Sequence, residues 1–264
     1  MIFALEYEPK TVNQLYGDGH HISFFFRCEL IYKYIKDNFK ETKIMNKIKT
    51  IKGWNFFCLA LYAFGGLGLE VLMAFIIEPL LYGSQMDEWL IWQNISHWIM
   101  TCILWGIVSV FLIKLSKTKY DFDIFEKATP MKNWQCIVTV ICVIFMLVVS
   151  YFDWNGFKVI KEYNANGLLK FIFQYIYYVF ETFLFMLIIV FGQKAFEKWF
   201  KNETIPYGGI VVALTWGLAH IFTKGDIIVG FLSALGGFIF GIVYLLVNRD
   251  IKKTFFLLFI MFVF

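Results

Sequence analysis

Four ionisable side chains interrupt the long apolar runs of this chain: Glu70, His97, Glu181 and His220. An ionisable group inside a membrane span is costly to bury unless it is paired or solvated, and spans that retain one commonly use it. Each of the four is therefore a candidate functional residue. The neighbours of each decide which chemistry it can support.

Glu181 lies in the middle of the run QYIYYVFETFLFM. Helical spacing places Gln174, Tyr177, Tyr178 and Phe185 on the same face of the helix. An amide and two phenols that lead to a carboxylate suit a water-holding cavity, in which the carboxylate acts as a general base. The alternative is a structural carboxylic acid that hydrogen-bonds to a tyrosine.

His220 ends the stretch TWGLAH, with Trp216 one turn before it and Thr223 after it. Because costly polar groups on consecutive antiparallel helices are best buried together, we expect His220 and Glu181 to face one another across a wet cavity. In the alternative, neighbours satisfy each residue separately, and His220 is a helix-end histidine bonded to a carbonyl or to Thr223.

The other two candidates have simpler interpretations. His97 follows WQNIS at a predicted membrane interface, so we interpret it as an interfacial histidine whose ring reaches the headgroups. Glu70 follows FGGLG, and it either pairs with another span or is neutral.

The composition indicates a membrane protein, since 59% of the residues are hydrophobic and 21% are aromatic. A soluble domain is less than half apolar, and a spanning helix needs about 20 mainly apolar residues. We predict an all-α, polytopic transmembrane helix bundle with six full spans and a partial seventh. The predicted spans are Trp54–Leu80, Ile91–Ile113, Trp134–Tyr151, Leu168–Val190, Pro206–Phe222 and Ile227–Val247, followed by the half-length run Thr254–Phe264.

The basic residues alternate between the loops. Nine Lys and Arg precede the first span, the next loop has none, and the following stretches have five, three, three, one and three. Apart from the weak fourth stretch, the counts rise and fall with every crossing. The positive-inside rule then predicts a cytoplasmic N-terminus for a multi-pass protein of the cell membrane.

The chain divides into a polar N-terminal segment, 1–52, and a helical membrane domain, 53–264. The first segment mixes aromatics and lysines at helical spacing, which is typical of a helix lying on the cytoplasmic leaflet. It can equally be a plain polar extension, or translation can begin at Met45. The pair His20 and His21 is a weak metal signal.

Ser233, Gly237 and Gly241 lie four residues apart in the sixth predicted span. Small residues at this spacing allow close helix packing in lipid, so we expect this helix to pack tightly against those that carry the polar groups. The five cysteines form no CxxC motif and are expected to be buried hydrophobes. No basic stripe indicates nucleic-acid binding, and no inverted repeat indicates a transporter.

Three stretches in this order resemble the CAAX-protease and bacteriocin-processing (CPBP, or Abi) family of intramembrane proteases. They are ETFLFM, which begins at Glu181, then TWGLAH, which ends at His220, and then the glycine-rich helix GGFIFGIVYLLVNRD. The resemblance covers about residues 174–250. The family motifs are Glu-Glu-x-x-x-Arg, then Phe-x-x-x-His, then His-x-x-x-Asn or Asp.

The resemblance implies a role for each matched residue. Glu181 matches the glutamate that activates water, and His220 matches the second-motif histidine, with Trp216 in place of phenylalanine. Thr182 and Met186 replace the second glutamate and the arginine. The third motif is absent, since no His, Asn or Asp follows Asp250, and Leu258 is near the position of its histidine.

By this resemblance we expect an intramembrane endopeptidase whose catalytic residues are Glu181 and His220. The same two side chains are the expected ligands of a divalent metal such as zinc, or His220 binds the oxyanion if no metal is used. The expected partners are membrane lipid and a peptide or prenylated-protein substrate, with no nucleic acid. The alternative is an inactive family member that acts as a membrane scaffold or a bacteriocin self-immunity protein.

The predicted topology places the loop 82–88 outside the cell. A Ser84→Cys variant should react with a membrane-impermeant maleimide in intact cells, because its thiol would face the medium. The natural sequence, with its own five cysteines, gives the background. Labelling of Ser84→Cys by membrane-permeant reagents alone would contradict the cytoplasmic N-terminus.

Overall fold

The computed structural model describes residues 52–264 and, before them, Lys33. Most of the predicted segment 1–52, with the His20–His21 pair and Met45, lies outside the described residues. Seven helices follow one another in the described domain. They are α1 (Gly53–Tyr82), α2 (Ile91–Tyr120), α3 (Asn133–Asp153), α4 (Lys158–Phe200), α5 (Tyr207–Val212, Ala213–Gly217 and Leu218–Lys224), α6 (Ile227–Leu246) and α7 (Ile251–Val263).

Helix α4 is the centre of the bundle. It packs against α1, α2, α5 and α7, while α6 packs mainly against α5, and α3 packs against α6 and α7. Every residue from Leu184 to Phe191 on α4 is at most 1% exposed. A helix that is apolar on all sides belongs in the interior, and this one carries Glu181 into it.

Two helices each contain a π turn. Its backbone hydrogen bonds join residues five apart, so it holds one residue more than a turn of α-helix. The π turn of α1 is Met73–Ile77, and the π turn of α5 is Ala213–Gly217. Such turns change which residues share a helix face. Each of these two lies beside ionisable residues: the first separates the candidate Glu70 from Glu78, and the second precedes the candidate His220.

Helix α4 folds back on itself at Gly167, whose φ of 67° is outside the helical region and favours glycine. The consequence is visible in the hydrogen bond of 2.6 Å from the Tyr178 hydroxyl to Glu162. Residues sixteen apart in a straight helix would be separated by about 24 Å. The segment 158–166 is therefore a short helix that lies against the start of the span.

The backbones of helices α5 and α6 are in direct contact. A methyl group on Gly241 would lie 2.2 Å from the Gly209 Cα, and one on Gly237 would lie 3.2 Å from the Ala213 Cα. The small-residue spacing on α6 thus predicts its packing face correctly. Since α5 carries His220, the expected contact with a helix that bears a polar candidate is confirmed.

The loops with many lysines and arginines gather at one end of the bundle. The Asn248 side chain donates to the carbonyls of Thr129 and Pro130 at 3.2 and 2.9 Å, and Arg249 donates to Glu197 at 2.7 Å. These contacts join the loop after α6 to the loop before α3 and to the end of α4. Helices that cross in alternate directions would produce this arrangement.

Five of the described helices are long and apolar enough to cross a membrane: α1, α2, α3, α4 and α6. The described residues are therefore all-helical, as predicted, and several of their helices could cross a membrane, which is consistent with a multi-pass protein. The predicted span Pro206–Phe222 corresponds to α5, which is built of short pieces around its π turn, so a sixth full crossing stays a prediction. Helix α7 has 13 residues, which is about two thirds of a span, so it is shorter than a full crossing, as expected.

The close contact of α5 with α6 predicts a large effect of one methyl group. Gly241→Ala should lower the free energy of unfolding by about 1–3 kcal/mol, because the added methyl meets backbone that cannot rotate away. Thermal unfolding in detergent measures the effect. Gly68→Ala is the matched control, since a methyl there has nothing within 4 Å. Equal loss in both variants would contradict the contact.

Candidate functional site

Trp216 connects the two residues expected to form the site. Its indole Nε1 donates a hydrogen bond of 3.0 Å to Glu181 Oε1, and its backbone carbonyl lies 2.8 Å from His220 Nδ1. The His220 ring also packs edge-on against the indole, with ring centroids 4.6 Å apart. A single tryptophan therefore holds the carboxylate of α4 and the imidazole of α5.

The geometry fixes the tautomer of His220. A carbonyl oxygen only accepts hydrogen bonds, so the proton of a neutral ring lies on Nδ1. Trp216 belongs to the π turn of α5, and its carbonyl oxygen accepts a hydrogen bond from Nδ1–H of the ring one turn later in the helix. The lone pair of Nε2 is then available to a water molecule or another ligand.

Aromatic rings from three other helices surround Trp216. Phe185 of α4, Phe240 of α6 and Phe262 of α7 lie with ring centroids 4.8, 6.2 and 5.6 Å from the indole. Phe185 is fully buried, and Glu181 is 8% exposed. These rings restrict the rotation of the indole and thereby fix the position of the Glu181 oxygen that it binds.

The expected pairing of Glu181 and His220 takes an indirect form. Within residues 52–264, no hydrogen bond joins the two side chains, and Trp216 contacts both. The structure brings the two candidates together on one residue, although it also satisfies each through that neighbour. The sequence analysis placed Trp216 only at the position of the motif's phenylalanine. It did not predict that Trp216 would contact both Glu181 and His220.

The donor set at Glu181 and His220 does not fit the expected metal. Glu181 has one oxygen bound to the indole, and His220 offers only Nε2, whereas a catalytic zinc usually takes three protein ligands. Across the described domain, no group of three or more His, Cys, Asp or Glu is placed to hold a metal ion.

Three positions that depart from the family motifs lie in the packed core. Thr182 and Met186, in place of the second glutamate and the arginine, are fully buried. Leu258, near the position of the third-motif histidine, is also fully buried and belongs to the main hydrophobic cluster. Met186 and Leu258 therefore place apolar side chains where the motifs that this chain resembles have an arginine and a histidine.

The predicted polar stripe of α4 leads to a different carboxylate. Gln174 and Tyr178 donate to Glu162 at 3.2 and 2.6 Å, and Tyr175 donates to it at 3.0 Å. The prediction that this stripe serves Glu181 is wrong for Gln174 and Tyr178, because the reversal at Gly167 brings Glu162 to them. The sequence feature that indicates this reversal is Gly167, which directly precedes the long apolar run of α4.

Lys158 is also buried, at 7% exposure, although the charge pattern counts it as a loop residue. Its Nζ donates to the carbonyl of Phe262 at 2.8 Å, near the C-terminus of α7. A cation is favoured there by the helix dipole. It also lies 4.9 Å from the Tyr178 ring centre and 4.6 Å from that of Phe262.

His97 is buried, at 1% exposure, so its interpretation as an interfacial histidine is wrong. Its Nδ1 lies 2.6 Å from Glu78 Oε2, and its Nε2 lies 3.7 Å from Glu70 Oε1. Glu70 thus lies near a histidine of another span but makes no hydrogen bond to it, and the choice between an ion pair and a neutral carboxyl stays a prediction. Glu78 was missed, because it precedes a proline at the end of the apolar run.

The π turn of α1 explains why two glutamates eight residues apart meet one histidine. In a regular α-helix they would lie about 80° apart around the axis. The extra residue of the turn Met73–Ile77 brings Glu78 to the place of the seventh residue after Glu70, close to the same face.

The Trp216 bridge predicts different effects for two substitutions. Trp216→Phe should lower the free energy of unfolding by about 1–3 kcal/mol, because Glu181 loses its buried donor. Glu181→Gln keeps an oxygen that accepts from the indole, so its loss should be smaller. Denaturant unfolding in detergent, followed by near-ultraviolet circular dichroism, compares them. The reverse order would show that the indole bond contributes little.

Comparisons with family models, with curated proteins and with solved structures found no match to this chain. A functional proposal therefore rests on the side chains described above and on the motifs that resemble the CPBP family.

Proposed function

We propose that this chain is an intramembrane endopeptidase that uses Glu181 to activate water. The observation that carries the proposal is the shared contact of Glu181 and His220 with Trp216. Two polar side chains that are costly to bury lie on one rigid aromatic residue in the interior. Both stand at the positions that the CPBP-like motifs assign to catalysis.

In the proposed reaction, Glu181 is the general base. Its Oε1 stays bound to the indole, and Oε2 takes a proton from the water that attacks the peptide carbonyl. The carboxylic acid then returns this proton to the leaving amine. The indole bond orients the carboxylate, so that the second oxygen points in a fixed direction.

His220 has two roles in this scheme. With its proton on Nδ1, the neutral ring accepts a hydrogen bond from the attacking water at Nε2 and positions it. In the alternative role, a ring that was protonated from the medium before the substrate bound donates from Nε2 to the developing oxyanion and keeps its proton throughout, without positioning the water. These two residues act here without a metal, because one Glu181 oxygen is bound to the indole and His220 offers only Nε2.

The protein would act in the cell membrane with its N-terminus in the cytoplasm. This orientation is supported by one end of the bundle, where the last turns of α4 with Lys194, the loop with Arg249 and the loop 121–132 lie together and carry many of the basic residues. The substrate class that the resemblance suggests is a peptide or prenylated protein, and membrane lipid is the surrounding partner.

One observation favours a second function, that of an inactive family member serving as a membrane scaffold or bacteriocin self-immunity protein. Leu258 and Met186 fill, with fully buried apolar side chains, places where the family has a histidine and an arginine. Such packing stabilises the bundle, although it removes groups that catalysis in the family employs.

Peptide cleavage distinguishes the two functions. Purified protein in phosphatidylcholine vesicles is incubated with quenched-fluorescent peptides, one ending in a prenylated Cys-aliphatic-aliphatic-X sequence and one unmodified. Glu181→Gln should reduce cleavage by about 100-fold or more, because the base is lost. His220→Gln should also reduce it.

Glu162→Gln is the matched control for this assay. It removes a buried carboxylate from the same helix and keeps an oxygen that accepts from Tyr178. Full activity of Glu181→Gln would refute the protease function. A natural sequence that cleaves neither peptide, at unchanged helical content, would favour the scaffold.

A further inference from the structure

The two carboxylates around His97 are held unequally. Nδ1 lies 2.6 Å from Glu78, which is the distance of a strong, charge-assisted hydrogen bond. Nε2 lies 3.7 Å from Glu70, beyond hydrogen-bonding distance. This asymmetry indicates a neutral ring that donates from Nδ1 to an ionised Glu78 and carries a lone pair on Nε2.

The cluster also contains buried polar atoms with no hydrogen-bond partner in the described domain. They are Glu78 Oε1 and His97 Nε2, on side chains that are 0% and 1% exposed. Each is costly to leave unpaired in an apolar interior. The His97 atom faces Glu70, so a proton carried on the Glu70 carboxyl would find its acceptor there.

We propose that Glu70, His97 and Glu78 form a proton-exchange unit, in which the imidazole passes one proton between two carboxylates inside the membrane. In the forward step, Glu70 gives its proton to Nε2, and Nδ1 gives its own to Glu78 Oε2. Glu70 ends ionised, Glu78 ends protonated, and the ring has changed tautomer. The unit carries one negative charge before and after, so no other reactant is needed.

The exposed fractions of the two carboxylates indicate which side chain can move. Glu78 is fully buried and fixed by its short bond, whereas the Glu70 side chain is 29% exposed and has room to change rotamer. A shift of about 1 Å brings its oxygen within the 2.7–2.9 Å of a charge-assisted hydrogen bond. The Glu70 carboxylate is thus the group through which the unit exchanges protons with its surroundings.

Other titratable groups face the two ends of the unit. Tyr82 is near enough to Glu78 to feel its charge, Tyr177 of α4 hydrogen-bonds to Glu70, and Glu181 of α4 is near enough to Glu70 for their charges to repel. The operation of the unit does not depend on a catalytic role of Glu181.

Nitrogen NMR of the full-length protein in phosphatidylcholine vesicles, with ¹⁵N-labelled histidine rings, tests the proposal. The His97 signals are assigned by their loss in His97→Gln. We expect a neutral ring in both tautomers, with Nδ1–H and Nε2–H in exchange. In Glu70→Gln, the Nε2–H tautomer should disappear, because the amide has no proton to give.

His220→Gln is the control, since it replaces the other histidine of the described domain, which is bonded to a carbonyl, and should leave the His97 signals unchanged. Infrared spectra give a second measurement, which can be made even if part of the variant protein is unfolded. The absorption band of a protonated carboxyl group should be lost in Glu70→Gln. A doubly protonated His97 between pH 5 and pH 9, or a tautomer ratio that Glu70→Gln leaves unchanged, would overturn the proposal. Neither result depends on peptide cleavage.

Discussion

The hydrogen bond from Trp216 to Glu181 is the interaction on which the centre of this bundle depends. An apolar interior cannot solvate a carboxylate, so the carboxylate needs a donor from another helix, and the indole supplies it. The indole is held in turn by rings from α4, α6 and α7. Its carbonyl orients His220. One bond thus ties the polar groups to the packing of four helices.

Backbone irregularities decide which polar groups meet. The π turn of α1 brings Glu78 to the face of Glu70, the π turn of α5 contains Trp216, and Gly167 returns Glu162 to the tyrosines of α4. A regular helix in each place would separate these partners. The irregular turns allow these buried polar groups to pair, and the free energy of that pairing offsets the cost of the irregular backbone.

Much of the fold could be predicted from the sequence, because long apolar runs and small-residue spacing are local properties. The contact of Gly241 with Gly209 follows from such spacing. The partners of Glu162 and His97 could not be predicted, since a sequence reading assumes regular helices, and one extra residue in a turn moves a side chain to another face. Trp216 was missed because its indole serves a different helix from its carbonyl.

The reversal at Gly167 has a consequence for the fit of α4 to its membrane. Residues 168–200 form a helix about 50 Å long, against a hydrocarbon thickness of about 30 Å. Several turns must therefore stand beyond the hydrocarbon or be accommodated by tilt. The last of them carry Lys194 and Glu197. A bilayer a few ångströms thicker would cover one further turn with hydrocarbon, so this helix could fit membranes of different thickness by sliding or tilting.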